Sequence, residues 1–548
     1  MSKNISGLSS RSGIKNNLFS AQQKLAREAN SDTAKLLLAD KSLVGVANIE
    51  SSSSFYDFIQ GENADKKAYV CNGTACLCAG TQDKVKTVLV EQFGDGEVGH
   101  VSCLGHCYEA SAFQVDGNNY SGEEIHNIEA LIDAKSKTII TPKGKSLDTA
   151  VLLVETGDVK AWYQPIFDSI KNAQSEQLLE QLKSASLRGR GGAGFPAGLK
   201  WQACKDQVAD KKYIVCNADE GDPGAFTDRY LLEHHPHSVL FGMLLAGYLA
   251  GSDEGVLYIR DEYPLAIENC QLAIDELSEL GLIAESSPFP FTFSIIRGAG
   301  SYVCGEETAL LRSIEGQRPI VSVRPPFPVV SGLFGKPTVL NNVETFACAH
   351  WIINQGGSAF AEMGSEQSAG AKLISLDYSF NNPGVYEVPM GTPLMKVIDD
   401  LGGGFRYPIK ALQIGGPLGG IVPQGKFAQL SIDFESFAKQ GFLLGHASIV
   451  GIPESMPMLD YLAHLFEFTA EESCGKCFPC RIGSIRGLEM IQAVGKGTRI
   501  NRQLLDDLLE TMELGSLCAL GGGLPLPIKN ALEWFEEELK DAFDEGAS

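Results

Sequence analysis

LRGRGGAGFPAGLKW, the sequence of residues 187–201, holds five glycines in ten consecutive positions and three cations, Arg188, Arg190 and Lys200. Backbone without Cβ atoms can curl closely around an anion and present N–H groups to it, while the cations add positive charge. We therefore predict that this stretch cradles a phosphate group. It is not a Walker loop, because neither Ser nor Thr follows Lys200, and it lacks the glycine spacing of a Rossmann turn. A flexible surface loop is the alternative.

The composition of the whole chain limits the class of protein. With 548 residues it is too long for one hydrophobic core, so we expect several domains. A formal net charge of −23 argues against nucleic acid or an anionic membrane surface as the main partner. The longest apolar run, residues 238–251, is too short to span a bilayer, and the polar N-terminal region has no secretory signal pattern. We expect a cytoplasmic protein without a membrane segment.

Fourteen cysteines in a cytoplasmic chain are better explained as ligands and packing residues than as disulfides. Eight of them fall into two groups of four with the spacing of ligands. The first group, with Cys-x4-Cys and Cys-x3-Cys spacing on two loops of a small α/β unit, is Cys71, Cys76, Cys103 and Cys107. Four thiolates on two loops suit a 2Fe–2S cluster, and zinc is the alternative.

The second group lies in a region with a helical pattern, residues 460–543, and consists of Cys474, Cys477, Cys480 and Cys518. Three thiolates in Cys-x2-Cys-x2-Cys spacing with a distant fourth are typical of a 4Fe–4S cluster. Zinc sites prefer paired Cys-x2-Cys units, so the spacing favours the iron–sulfur cluster. We predict that the six other cysteines, among them Cys78, are small buried packing residues.

Polar side chains follow two of the strands predicted in the middle of the chain. They are Asn217, Asp219, Glu220 and Asp222 after the first strand, and Glu306 and Glu307 after a later one. Alternating strands and helices predict a parallel sheet, which binds ligands at the carboxyl ends of its strands. Side chains at that edge can hold ribityl hydroxyls or a metal. The alternatives are a solvated acidic turn for the first set and acids at a helix N-terminus for the second.

These motifs resemble known families. The pair Cys-Asn-Gly-Thr-Ala-Cys and Cys-Leu-Gly-His-Cys resembles the thioredoxin-like 2Fe–2S ferredoxins, which favours iron and sulfur over zinc in the first group. From residue 187 to residue 522 the motifs resemble, in order, the flavin-binding subunit of the NADH dehydrogenase module. This diaphorase is shared by respiratory complex I, NAD-linked formate dehydrogenases and NAD-linked hydrogenases.

The resemblance implies roles for individual residues. The FMN phosphate and ribityl chain would be held by Gly189, Arg190, Gly191, Gly192 and Lys200. The flavin would be lined by Asn217, Asp219, Glu220, Asn341, Asn342 and Thr345. NAD would be bound by Phe195 and Phe327 at the adenine, with Tyr302 and Arg324 also in the cofactor site. The catalytic set would be Glu306 and Glu307 beside the nicotinamide ribose, and Asp222, where respiratory relatives commonly carry Glu.

The predicted fold class is α/β with several domains. A thioredoxin-like ferredoxin domain (67–142) follows an N-terminal arm and linker (1–66), in which residues 51–54 form the linker. An α/β domain that binds FMN and NAD (143–365) contains an early strand at 150–154. A β-grasp insert similar to the SLBB type (366–450) has only a structural and packing role, and a helical 4Fe–4S domain (451–548) ends the chain.

The resemblance implies an enzyme, an NAD(H)-dependent flavin oxidoreductase with FMN, NAD, 2Fe–2S and 4Fe–4S cofactors. Fusion of the ferredoxin and flavin modules, with no further cluster motif after Gly523, is most similar to the beta subunit of soluble NAD-dependent formate dehydrogenase. The implied partner is a molybdenum-containing alpha subunit, with a further small ferredoxin-type subunit left open. The alternatives are the diaphorase subunit of a bidirectional or electron-bifurcating hydrogenase, the flavoprotein subunit of complex I, and a non-enzymatic iron–sulfur scaffold.

Overall fold

The computed structural model describes residues 18–28, 31–59, 61–128, 141–298 and 300–544. Three helices come first: Leu18–Glu28, Asp32–Ser42 and Val46–Ser53. The linker predicted at residues 51–54 is therefore wrong for its first three residues, which end the third helix. Ser52 is buried there because its Oγ donates to Asn48 O (2.6 Å) and accepts from Gln22 Nε2 (2.5 Å). Serine side chains that are bonded in this way can lie in a packed helix.

The first sheet has the spatial strand order Val98–Val101, Ala68–Cys71, Phe113–Val115 and Asn118–Tyr120. Its first two strands are parallel and the others antiparallel. Asp116 and Gly117 both have positive φ, 48° and 76°, as a two-residue type I′ hairpin requires. The helices of this unit are Thr74–Cys78 and Gln82–Phe93. A 3₁₀ helix follows the last strand of this sheet at Gly122–Asn127.

The second sheet confirms the predicted parallel arrangement. Its strands, in spatial order, are Thr292–Gly298, Glu254–Arg260, Tyr213–Ala218 and Thr338–Asn342. All three neighbouring pairs are parallel, so the carboxyl ends of the four strands meet at one edge. Helices around this sheet are Val159–Lys171, Ser175–Ser184, Ala197–Lys205, Thr227–His234, Pro236–Ala250, Pro264–Glu279, Glu307–Ile314, Pro328–Ser331, Val343–Gln355 and Gly357–Ala361.

The third sheet has six strands. In spatial order they are Gly420–Pro423, Ile409–Ile414, Ser448–Pro453, Ala371–Leu376, Gly384–Pro389 and Gly144–Ser146. The strand predicted at 150–154 is wrong, because the amides of residues 151, 152 and 153 all donate to the carboxylate of Glu387. Residues 144–146 form the strand instead, although the predicted boundary placed them in the flavin domain. Helices of this region are Leu394–Lys396 and Phe434–Lys439.

The last region is helical, as predicted. Its helices are Met458–Glu471, Phe478–Val494, Arg502–Gly515, Ala519–Gly523, Pro525–Trp534 and Glu536–Leu539. The first two cross closely at Gly487, where a Cβ atom would overlap the ring of Phe466. In the described part of the chain, no helix combines the length and apolar character needed to cross a membrane.

Candidate functional site

The glycine-rich stretch forms a hairpin at the carboxyl edge of the second sheet. Gly189 N donates to Phe195 O (2.9 Å), and φ is 113° at Gly192 and 63° at Gly194. The amides of residues 191–194 donate no hydrogen bond to any residue that the structure describes. A Cβ at Gly191 would lie 3.0 Å from Asn342 Cβ, so a side chain there would press on the strand end. Consecutive free amides in a tight glycine turn are the donors of an anion nest.

The three cations of this stretch have different surroundings. Lys200 Nζ donates to Leu340 O (2.9 Å), and burial lowers the pKa of its ammonium group. Arg188 ion-pairs with Glu435 at 2.5 Å. Arg190 is 1% exposed and donates from Nη2 to Ala369 O (2.6 Å). The side chain of Arg190 is thus anchored inside the protein, and it is the backbone of this residue that lies in the hairpin.

The polar residues after strand Tyr213–Ala218 have separate partners. Asn217 Nδ2 donates to Gly305 O (2.8 Å). Glu220 accepts from the amides of residues 228 and 229, and so holds the start of helix Thr227–His234. Oδ2 of Asp219 is buried without a hydrogen-bond partner among the described residues. Burial raises the pKa of Asp219 well above its usual range and also raises that of Glu220. Of the three, Asp219 is the one with a buried oxygen that no described residue bonds.

The residues at and after the end of strand Thr338–Asn342 bond neighbouring elements. Asn341 Oδ1 accepts from Trp201 Nε1 (3.0 Å). Asn342 Oδ1 accepts from the amide of residue 344 (2.9 Å) and so caps helix Val343–Gln355. Thr345 Oγ1 accepts from Arg190 N (2.9 Å), which ties this helix to the hairpin.

The paired glutamates differ in their contacts. Glu306 is the N-cap of helix Glu307–Ile314, with Oε2 accepting from the amides of residues 308 and 309. Its Oε1 is buried without a hydrogen-bond partner among the described residues, and burial raises the pKa of the carboxyl group. Glu307 accepts from Arg324 Nη1 (2.6 Å) and lies 4.0 Å from Lys200 Nζ. The helix-start alternative is therefore real for Glu306, while Glu307 connects Lys200 with Arg324.

Asp222 lies between two domains. The hydroxyl group of Tyr302 donates to Asp222 Oδ1 (3.0 Å), and His446 Nε2 lies 2.9 Å from Oδ2. Burial and the neighbouring Asp222 raise the pKa of Tyr302 well above its usual range. Sequence reasoning missed His446, because it belongs to the insert that was predicted to have only a packing role.

Two aromatic side chains of the predicted NAD site are open to solvent. Phe195 is 55% exposed and Phe327 is 52% exposed. Phe195 lies in the hairpin, and Phe327 directly precedes the short helix Pro328–Ser331. Exposed aromatic faces of this kind are available for stacking with a flat ring.

The cysteines of the first group lie close together. Cys103 and Cys107 have their sulfur atoms 3.6 Å apart. Cys71 forms hydrogen bonds with Cys103 and Cys76, which raise the pKa of its thiol well above the usual range. The bond to Cys103 joins the two loops. The loop is also tied to the second sheet, because Arg260 donates from Nη2 to Cys103 O (2.6 Å). Sequence reasoning missed this arginine, which ends an ordinary buried strand.

The second cysteine group also assembles. Burial, together with the neighbouring Cys480, Glu306 and Cys474, raises the pKa of Cys518 to about 12. Burial raises the pKa of Cys480 to about 11, and the neighbouring Cys477 and Cys474 act in the same direction. Cys474 and Cys518 pack against Val303 and other apolar residues beside Glu306. The six remaining cysteines are all buried, as predicted.

The donor chemistry of both groups fits iron–sulfur clusters. Among the described residues, no three Cys, His, Asp or Glu side chains are arranged around one metal ion. A cluster does not need that arrangement, because four thiolates are shared among two iron atoms in 2Fe–2S and four in 4Fe–4S.

Comparisons with known proteins agree with this geometry. Residues 182–351 match the family described as Nuo51 FMN-binding domain. Residues 460–542 match the NADH-ubiquinone oxidoreductase-F iron-sulfur binding region, and residues 10–136 match the thioredoxin-like [2Fe-2S] ferredoxins. The NAD-reducing hydrogenase HoxS subunit alpha of Cupriavidus necator is 34% identical over 526 residues, which cover 89% of this chain and 85% of that one.

The chain belongs to the diaphorase flavoprotein family. An NADH-quinone oxidoreductase subunit of Escherichia coli is 36% identical to this diaphorase over 390 residues, covering 70% of this chain and 87% of that protein. A crystal structure of NAD+-reducing [NiFe]-hydrogenase in the H2-reduced state superposes with a TM-score of 0.86 at 28% identity, covering 97% of this chain and 93% of the other. The diaphorase is an NAD(H)-dependent flavin oxidoreductase with an FMN-binding domain and both kinds of iron–sulfur domain.

Proposed function

We propose that this diaphorase subunit exchanges electrons between NAD(H) and a catalytic partner subunit through FMN and its two clusters. The observation that carries this proposal is the hairpin with free amides at the carboxyl edge of the second sheet. Both cysteine groups contact residues near that edge. Arg260 connects Cys103 with Glu220, and Cys518 packs against the cluster of Val303 and Ala309, which lie on either side of Glu306 in the sequence. Short distances between carriers are what electron transfer requires, and the protein supplies position and electrostatics.

Different residues of the chain would bind the phosphate and the flavin ring of FMN. Free amides at Gly191 and Gly192, with Lys200 nearby, would hold the FMN phosphate. Asp219, whose buried Oδ2 has no partner in the described chain, and the strand-end asparagines would line the flavin. Bound FMN would supply the change from two-electron hydride transfer to one-electron steps, since NAD(H) exchanges two electrons and a cluster one.

The NAD site would lie on the outer side of this pocket. Phe195 and Phe327 present exposed ring faces on which an adenine can stack. Glu307 would orient the ribose next to the nicotinamide, with Arg324 holding the carboxylate in place at 2.6 Å. Asp222 would lie beside the reacting atoms, fixed by the hydroxyl group of Tyr302.

Two kinds of partner fit this chain. A molybdenum-containing formate dehydrogenase subunit is our first candidate, because the ferredoxin and flavin modules are fused in one chain. A hydrogenase subunit is the second, because the likeness to the HoxS subunit alpha extends over 526 residues and so includes both modules. In either case the direction of the physiological reaction follows from the chemistry of the partner.

Anaerobic purification of the chain with whatever binds it would test both parts of the proposal. We expect bound FMN, iron, and NADH-dependent reduction of ferricyanide. A partner with molybdenum and formate-dependent NAD reduction would support the first candidate, and a nickel-containing partner with hydrogen-dependent NAD reduction would support the second. A preparation with iron but no FMN and no NADH oxidation would favour the scaffold alternative.

A matched pair of lysine variants addresses the phosphate site. Lys200→Met should lower FMN retention, because it removes the ammonium group that bonds Leu340 O, two residues before Asn342, which faces Gly191 of the hairpin. Lys205 lies on the same helix and pairs with the exposed Glu176 at the protein surface. The Lys205→Met variant should therefore retain FMN. Equal flavin content in the two variants would contradict the assignment of Lys200.

A further inference from the structure

The third sheet approaches Asp222 at two points. His446, just before strand Ser448–Pro453, has Nε2 at 2.9 Å from Asp222 Oδ2. Gly416, just after strand Ile409–Ile414, has φ +84°, and a Cβ there would overlap Asp222 Oδ1. The hydroxyl group of Tyr302 reaches the same carboxylate from the flavin side. Asp222 therefore lies between the second and third sheets, bonded by Tyr302 and with His446 and Gly416 close to its carboxylate.

The orientation of the imidazole ring follows from its other nitrogen. The amide of Ser448 donates to His446 Nδ1 (3.3 Å), so a neutral ring carries its proton on Nε2, which faces Asp222. Nε2 makes no hydrogen bond in the described chain, although Asp222 Oδ2 lies 2.9 Å away. Such contacts in a site without substrate often tighten when the complex forms.

The contact between His446 and Asp222 is largely shielded from water. The side chains of His446 and Asp222 are only 16% and 21% exposed, so water screens their interaction less than at the surface. Glycine at position 416 also lets the turn approach the carboxylate, as any larger residue would displace it.

We propose that His446 and Gly416 make the insert a positioning element for Asp222, and that His446 sets the place of the carboxylate during reaction with NAD(H). This rests on the proposed role of Asp222 beside the reacting atoms. It assigns a functional contact to a domain for which the sequence predicted packing alone. His446 is a positioning residue because it acts through Asp222 and has no predicted contact with the cofactor.

A double-mutant cycle would test the inference on the full chain with its FMN and clusters. In steady-state NADH:ferricyanide assays, we expect His446→Ala to lower kcat about 10- to 100-fold, as a small misplacement of a reacting group does, with a much smaller change in KM. His446→Gln, whose amide can donate to Oδ2, should recover part of that loss. In an Asp222→Asn background, His446→Ala should cause little further loss, because its effect passes through the carboxylate.

The outcomes test the role of Asp222 separately from that of His446. If Asp222→Asn leaves kcat and KM unchanged, the proposed role of Asp222 is wrong. If Asp222→Asn lowers kcat but His446→Ala does not, or if the two losses multiply independently, the inference about His446 is overturned and the role of Asp222 stands. If His446→Ala loses its flavin absorbance, the same cycle is measured with His446→Leu, which fills the position without a donor, and an unchanged kcat there would also overturn it.

Discussion

Arg260 is the residue whose loss should reach furthest, because one guanidinium group joins two loops. It donates at 2.6 Å to Cys103 O, to Glu220 O and to Glu262 Oε1, and the side chains of this ion pair are 5% and 6% exposed. Arg260→Gln would leave Glu262 buried without its counter-charge. Removing one partner of such a pair costs about 3–5 kcal/mol. At about 2–4 °C per kcal/mol for a unit of 150–250 residues, the midpoint of thermal unfolding should fall by about 6–20 °C.

Thermal unfolding would measure the loss of stability around Arg260. The 2Fe–2S signal in electron paramagnetic resonance would show whether the Cys103 loop is disturbed. Arg260→Lys keeps the charge but cannot serve three acceptors with a planar fork, so it should fall between wild type and Arg260→Gln. Arg297→Gln is the matched control, because Arg297 lies on the next strand in a more exposed pair with Asp261 and should cost less than about 1 kcal/mol. Equal midpoints for the two glutamine variants, with an unchanged signal, would refute the reasoning.

Three further predictions concern single sites. Gly191→Ala should lower the flavin absorbance of the purified protein, because its Cβ would lie 3.0 Å from Asn342 Cβ, while Gly425→Ala, where a Cβ meets nothing within 4 Å, should not. Glu307→Gln should raise KM for NADH about tenfold or more, as the loss of a charged hydrogen bond does, and unchanged affinity and turnover would contradict its assignment. Burial raises the pKa of Asp377 to about 7. Its contribution to stability is therefore present below about pH 4 and is lost as the pH rises to about 7, so Asp377→Asn should lose less thermal stability than wild type between pH 5 and pH 8.

Local patterns in the sequence predicted what depends on local chemistry. The cysteine spacing predicted two groups of ligands, which stays a prediction, and the alternation of strands and helices correctly predicted the parallel sheet that aligns Asn217 with Asn342. Contacts between distant segments could not be predicted in this way. Glu220 proved to hold a helix start, Arg190 to be anchored at Ala369, and His446 to reach Asp222 from another domain. A single sequence contains no signal for such pairs, because each residue is ordinary in its own segment.

The contacts of the loop at Cys103 have a consequence for how the protein is made. Its carbonyl oxygens are bonded by Arg260 and Arg229, and Ser102 donates to Glu472 Oε1 (2.5 Å), all of them residues that leave the ribosome later than the loop. Until those partners are synthesised, the loop lacks the contacts that cover it in the finished fold. We expect this interval of translation to be the period in which the N-terminal cysteines are open to cluster-assembly proteins and to oxidation.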